Sequence, residues 1–175
     1  MTSAMELYAE RGFEQTTASD IAERAGVTER TFFRYFADKR EVLFFGASGL
    51  QEYVVAAIVA APQSMRPMET VGAAIEGVAT QLADREFSRR RAAVIAANPG
   101  LQERELLKMA TLAGAAADAL RERGVPDPVA GLAAETGVTV FRIGFETWIG
   151  EGAPESFAEC IREALDQLRS LTAGA

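Results

Sequence analysis

The stretch "IAERAGVTERTFFRYFADKREVL", Ile21 to Leu43, places four aromatic residues, Phe32, Phe33, Tyr35 and Phe36, within five positions, interrupted only by Arg34. If Thr28 to Phe36 is helical, with Phe32 set at zero, Phe36 falls at roughly 40° and Tyr35 at roughly −60°, while Arg30 and Arg34 fall at roughly 160° and 200°. Phe32 and Phe36 then face a core, and the two arginines point away from it. Thr31 and Phe33 occupy the flanks. The helix therefore has one edge to bury and one edge that offers two guanidinium groups bordered by a hydroxyl and a ring.

The preceding segment, "TASDIAERAG", supplies Ile21, Ala22 and Ala25 as an apolar face, and Ala22 is small enough for another helix to cross closely. Thr17 caps this helix, Gly26 makes the turn, Val27 plugs the angle and Thr28 caps the next helix. A short helix, a glycine turn and a second helix with a cationic outer face form a helix-turn-helix, whose second helix enters a DNA major groove. Asp38, followed three residues later by Glu41, has the spacing of a capping box for a fourth helix. Lys39 at that helix start and the hydroxyl of Tyr35 are suited to positioning phosphate. Within Arg30 to Arg40, four basic residues face one acid, Asp38.

Outward from this stretch, nearly every segment has helical spacing, and none alternates as a strand. The fold class is all-α, with about nine helices. Gly12 closes the first helix. The fourth runs to about Ala61, and proline and glycine clusters divide the rest into helices near 67–83, 86–97, 101–123, 128–149 and 154–172, with Pro128 and Pro154 at first helical positions. The domain reading is 1–45 for the helix-turn-helix and 46–175 for a ligand-binding and dimerisation bundle.

Composition narrows the function. The 175 residues are 49% hydrophobic and can bury a sizeable core without staples; Cys160 is the single cysteine and there is no histidine. Histidine is the commonest general base at neutral pH and the commonest transition-metal ligand, and a di-metal helical bundle needs Glu-x-x-His pairs. No catalytic residue, metal ligand or cofactor is assigned. One cysteine and a start without signal-peptide character point to the cytoplasm, and the longest apolar run, Tyr53 to Pro62, is too short to span a bilayer. The net charge is −7, with six basic against eight acidic residues in 1–45 and twelve against seventeen in 46–175.

The residues "LYAERGFEQTTASDIAERAGVTERTFFRYFADKREVLF", Leu7 to Phe44, resemble the DNA-binding domain of the tetracycline-repressor (TetR) family of bacterial transcription regulators. The resemblance implies an N-terminal three-helix domain joined by a long helix to a C-terminal bundle, and a homodimer formed through the last two helices. It implies phosphate contacts from Thr17, Tyr35 and Lys39, a cap at Thr28, and base-side roles for Arg30, Thr31 and Arg34; Phe33 stands where the family often has tyrosine and can pack on sugar or a thymine methyl. The implied partners are a palindromic double-stranded DNA operator and a small-molecule effector, in a ligand-responsive regulator of repressor type. Family members carry more of the first helix and a basic arm upstream, so weaker DNA binding than that of an upstream-extended chain is expected.

"SRRRAAVIAANPGLQERELLKMATLAGAAADALRERG", Ser88 to Gly124, resembles a C-terminal domain type of regulators thought to answer acyl-CoA-like ligands. Candidate effector contacts are Phe87, Arg91, Met109, Phe141, Arg142, Phe145 and Trp148. For Arg91 and its neighbours Arg89 and Arg90, a solvated face or a brace for the DNA-binding domain is the competing role, and for the rings it is simple core packing. In the final helix Phe157, Ile161, Leu165 and Leu168 form an apolar stripe suited to the dimer interface. The competing class is a helical adaptor whose helix-turn-helix binds protein instead of DNA.

Overall fold

The computed structural model describes residues 2–80, 82 and 84–173. Among them are nine α-helices and one 3-10 turn, with no strand: α1 (Thr2–Arg11), α2 (Ala18–Arg24), α3 (Glu29–Tyr35), the 3-10 turn (Glu41–Phe44), α4 (Ala47–Ala60), α5 (Pro67–Ala79), α6 (Arg85–Ala96), α7 (Pro99–Glu122), α8 (Asp127–Ile149) and α9 (Phe157–Ala173). The all-α reading holds.

The chain forms two compact units. The first contains Met1–Ala47 together with Phe87–Leu106, and the second contains Ser48–Glu86 with Leu107–Ala175. The division at 45/46 read from the sequence follows chain order; packing instead carries most of α6 and the start of α7 into the first unit. The first unit thereby holds ten Lys and Arg against ten Asp and Glu, and the second eight against fifteen, so the entire charge of −7 resides in the second.

In the first unit, Leu7, Tyr8, Phe13, Ile21, Ala22, Phe32 and the 3-10 residues Val42, Leu43 and Phe44 share one core with Ile95 and Leu101. Phe87, expected in an effector pocket, packs on the edge of this core. In the second unit, α5, α8 and α9 pack together, and small residues set the spacing. A Cβ built on Gly137 would lie 2.2 Å from Val71 Cγ1, and one on Gly144 would lie 2.6 Å from Ile161 Cδ1.

Two helix starts depart from the sequence reading. The fourth helix does not run unbroken from Asp38 to Ala61. Phe45 is extended and Gly46 has φ +95°, so the 3-10 turn is separated from α4. Asp38 serves the turn instead, accepting from the amides of Arg40 (2.7 Å) and Glu41 (3.3 Å). This break also divides the apolar stretch Glu41–Ala60, which has a mean hydropathy of 1.7. Its first part fills the core of the first unit, and Val54 and Ile58 fill that of the second. At the other end, α9 begins at Phe157, three residues beyond Pro154; Ser156 supplies its Oγ to the amide of Glu159 at 3.4 Å.

Candidate nucleic-acid interface

The local geometry of the helix-turn-helix follows from two caps and one glycine. Thr17 Oγ1 accepts from the Asp20 amide at 3.1 Å, and Asp20 returns a carboxylate oxygen to the Thr17 amide at 2.8 Å. This is a reciprocal capping box in which aspartate replaces the usual glutamate. Gly26, at φ +69°, adopts the left-handed conformation that a side chain would oppose, and it lets the Val27 amide reach back to the Ala22 carbonyl at 2.9 Å. Thr28 Oγ1 then accepts from the Thr31 amide at 3.1 Å and starts α3.

On α3, Phe32 is buried against Phe36 at 5.2 Å between ring centroids and against Phe33 edge-on at 5.3 Å. Arg30, Phe33, Arg34 and Tyr35 are exposed, and Thr31 is half-buried. The inward and outward edges are those read from the helical wheel. Arg34 and Tyr35 also pair: the guanidinium lies 4.8 Å from the ring centre and donates to the phenol oxygen at 3.0 Å. A planar cation held against a ring remains free to present its other N–H groups to a base edge.

Two residues expected to contact phosphate, Thr17 and Lys39, are engaged within the chain. The one hydroxyl proton of Thr17 goes to Asp20 Oδ2 at 2.6 Å. Asp20 is held ionised, its pKa lowered first by the Thr17 hydroxyl and then by the Thr17 amide. Lys39 Nζ donates to the carbonyls of Phe13 (2.8 Å), Glu14 (3.2 Å) and Thr16 (2.9 Å), so all three ammonium protons are engaged. The Thr17–Asp20 pair is local, three residues apart, whereas no local motif shows the Lys39 acceptors, which lie more than twenty residues upstream.

Arg91, also expected to meet effector, belongs to the first unit and braces it. Its Nε donates to the Leu43 carbonyl at 2.6 Å, one terminal nitrogen pairs with Glu105 at 3.1 Å, and the guanidinium stands 5.2 Å from the centre of the Phe44 ring. Burial lowers its pKa, with Glu105 acting in the opposite direction. Arg104 reinforces the same turn through Glu41, at 2.7 Å from Nε. Sequence reasoning gave Arg104 no role, since its partner lies 63 positions away.

The remaining effector candidates lie in the second unit. Phe141, Phe145 and Trp148 form one aromatic cluster with Phe157, whose ring is stacked on Trp148 at 5.0 Å. Trp148 Nε1 donates to the Glu155 carbonyl at 3.2 Å. Met109 packs on this unit's core, and Arg142 pairs with Glu146 at 2.9 Å on the exposed face of α8. The α9 stripe is turned inward: Phe157, Ile161 and Leu165 are buried and Leu168, partly buried, packs beside them. Cys160 is buried with them, and burial raises its thiol pKa.

A capped, glycine-turned helix pair that presents an arginine-rich edge, together with a separate all-helical unit, defines a helix-turn-helix regulatory protein. The profile described as "Bacterial regulatory proteins, tetR family" matches residues 1–44, and that of the "MftR C-terminal domain" matches residues 65–173, more than half of the chain. The chain belongs to the tetR family of bacterial regulatory proteins. It is 37% identical over 84 residues to the HTH-type transcriptional regulator TcmR of Streptomyces glaucescens, a match that covers 48% of this chain and 37% of that protein. It is also similar to the crystal structure of Thermus thermophilus FadR, a TetR-family transcriptional repressor in complex with lauroyl-CoA: 27% identity, TM-score 0.53, covering 95% of this chain and 90% of the other. A TetR-family regulator from Syntrophomonas wolfei shares the fold, with TM-score 0.65 at 20% identity over 99% of this chain and 92% of the other.

Proposed function

We propose that the chain is a sequence-specific DNA-binding transcriptional repressor, acting as a homodimer on a palindromic operator and released by a small-molecule effector. The observation that carries this reading is the division of α3, with Phe32 locked inward and Arg30, Thr31, Phe33, Arg34 and Tyr35 presented together. Arg30 and Arg34 can bond guanine bidentately, and Phe33 can meet a thymine methyl. Thr28 acts as the cap that fixes the helix start. Charge supports the assignment, since the first unit is neutral overall and the acidic excess that would repel DNA lies in the second.

For the homodimer, α8 is the better candidate surface, because Val129, Leu132 and Ile143 remain exposed while the α9 stripe is consumed internally. The effector belongs to the second unit. Its aromatic cluster suits an apolar molecule, and the lauroyl-CoA held by the Thermus thermophilus relative makes acyl-CoA the first class to test. Effector binding shifts operator affinity only by the difference in its affinity for the two states.

The test is selection of bound duplexes from a random DNA pool by the purified chain. Recovery of a two-fold symmetric consensus is expected, with Arg30→Ala and Arg34→Ala relaxing preference at discrete positions. Recovery of no consensus would overturn the reading. The recovered duplex then serves as the probe for release by an acyl-CoA series.

A further inference from the structure

We infer that Lys39 is a positioning residue of the DNA-binding head, acting through the α1–α2 turn to place α2 and α3, and is not a phosphate ligand. Its ammonium has three protons, and the carbonyls of Phe13, Glu14 and Thr16 take one each, at 2.8, 3.2 and 2.9 Å. The same nitrogen stands 4.3 Å from the centre of the Phe13 ring, a cation–π contact that adds to the anchorage. Residue 39 also holds α1 by its backbone: its carbonyl accepts from the buried Tyr8 hydroxyl at 2.9 Å. The turn is tied a third way, since the fully buried Thr16 donates its hydroxyl to the Gly12 carbonyl at 2.8 Å.

From this turn the chain enters α2 directly at the Thr17 cap, and α2 carries α3 through Ile21, Ala22 and the Ala22 carbonyl bond to Val27. Displacing the turn therefore displaces the recognition helix. A phosphate oxygen could take a proton of Lys39 only by displacing one of these three carbonyls, and an unmade bond to a charged donor costs more than a neutral one. Arg30 is exposed, and no hydrogen bond or ion pair holds it among the described residues; it is the cation that DNA can take freely.

The inference rests on the DNA-binding reading, so the experiment separates the two. The 175-residue chain, Lys39→Met and Lys39→Arg are compared by amide hydrogen exchange without DNA and by binding to a mixed-sequence DNA duplex across a salt series. Lys39→Met is expected to speed exchange of the amides of residues 13–17, to weaken duplex binding several-fold, and to leave the slope of log affinity against log salt at its wild-type value. Arg30→Ala, the control at the base-reading edge, should weaken duplex binding without speeding exchange of the amides of residues 13–17. Lys39→Arg keeps the charge but cannot converge three N–H groups from one atom, so it too should bind more weakly at unchanged slope. A slope lowered by about 0.9 in Lys39→Met, or a Lys39→Arg chain that binds like wild type, would overturn the inference. Wild-type failure to bind the duplex at low salt would sink the DNA-binding reading, and unchanged exchange in Lys39→Met would sink the staple whatever the duplex result.

Discussion

Two glycines of α8, substituted by alanine, should move stability in opposite directions. Both Gly131 and Gly144 lie inside the helix, so each change gains about 1 kcal/mol of helix propensity. A Cβ on Gly131 meets nothing within 4 Å. One on Gly144 would stand 2.6 Å from Ile161 Cδ1 and 3.3 Å from both Cα and N of Ile161. Carbon atoms prefer separations of about 3.5–4.0 Å, and Ile161 is fully buried, so the side chain has no free space and the backbone cannot yield without moving α9. Overpacking of this kind costs about 1–3 kcal/mol. Because the propensity gain is common to both variants, their difference isolates the helix contact, and it should be about 2 kcal/mol in favour of Gly131→Ala. For a chain of this size that is roughly 4–8 °C in Tm. Urea unfolding followed by the fluorescence of Trp148, the only tryptophan, reports on the unit that holds both glycines. Equal midpoints for the two variants would refute the close α8–α9 crossing.

Three further outcomes are expected. Arg91→Ala removes a charge-assisted bond to the Leu43 carbonyl and leaves Glu105 without its partner, and should destabilise the first unit by about 2 kcal/mol, read as faster amide exchange at residues 42–45; unchanged exchange would remove the brace. Asp20 and Asp38 both have lowered pKa values in the folded chain, through the Thr17 hydroxyl and the Arg40 side chain respectively. Their contribution is therefore full above the ordinary aspartate value of about 3.9 and is lost as pH falls through the lower folded value, so Asp20→Asn should flatten the acid limb of the stability curve measured by circular dichroism. The single thiol, Cys160, is buried with its pKa raised, and should react with a thiol-specific disulfide reagent at mildly alkaline pH only as fast as the second unit opens. Reaction at the rate of a free thiol would contradict the packing of α9.

The features legible in the sequence are those whose causes lie within a few residues. The Thr28 cap, the Gly26 turn and the inward–outward division of α3 all depend on neighbours within one helical turn, and the wheel places Phe32 and the two arginines where they are found. The partners of Lys39, Arg91 and Arg104 lie 14 to 63 positions away, so their residue types identified cations without saying what they bind. Phe87 was equally ambiguous, an apolar ring that could serve either unit.

Periodicity shows that a helix has an apolar face but not which surface covers it. Phe157, Ile161 and Leu165 form the stripe that was anticipated, and it is buried on the chain's own α5 and α8. Sequence alone therefore determined the all-helical class, the helix-turn-helix and its exposed arginine edge, because local hydrogen bonding and the 3.6-residue period act at short range. Only the tertiary structure decided which cations are spent inside the head, which helices join it and which apolar face is left open, because those outcomes depend on segments that meet only after folding.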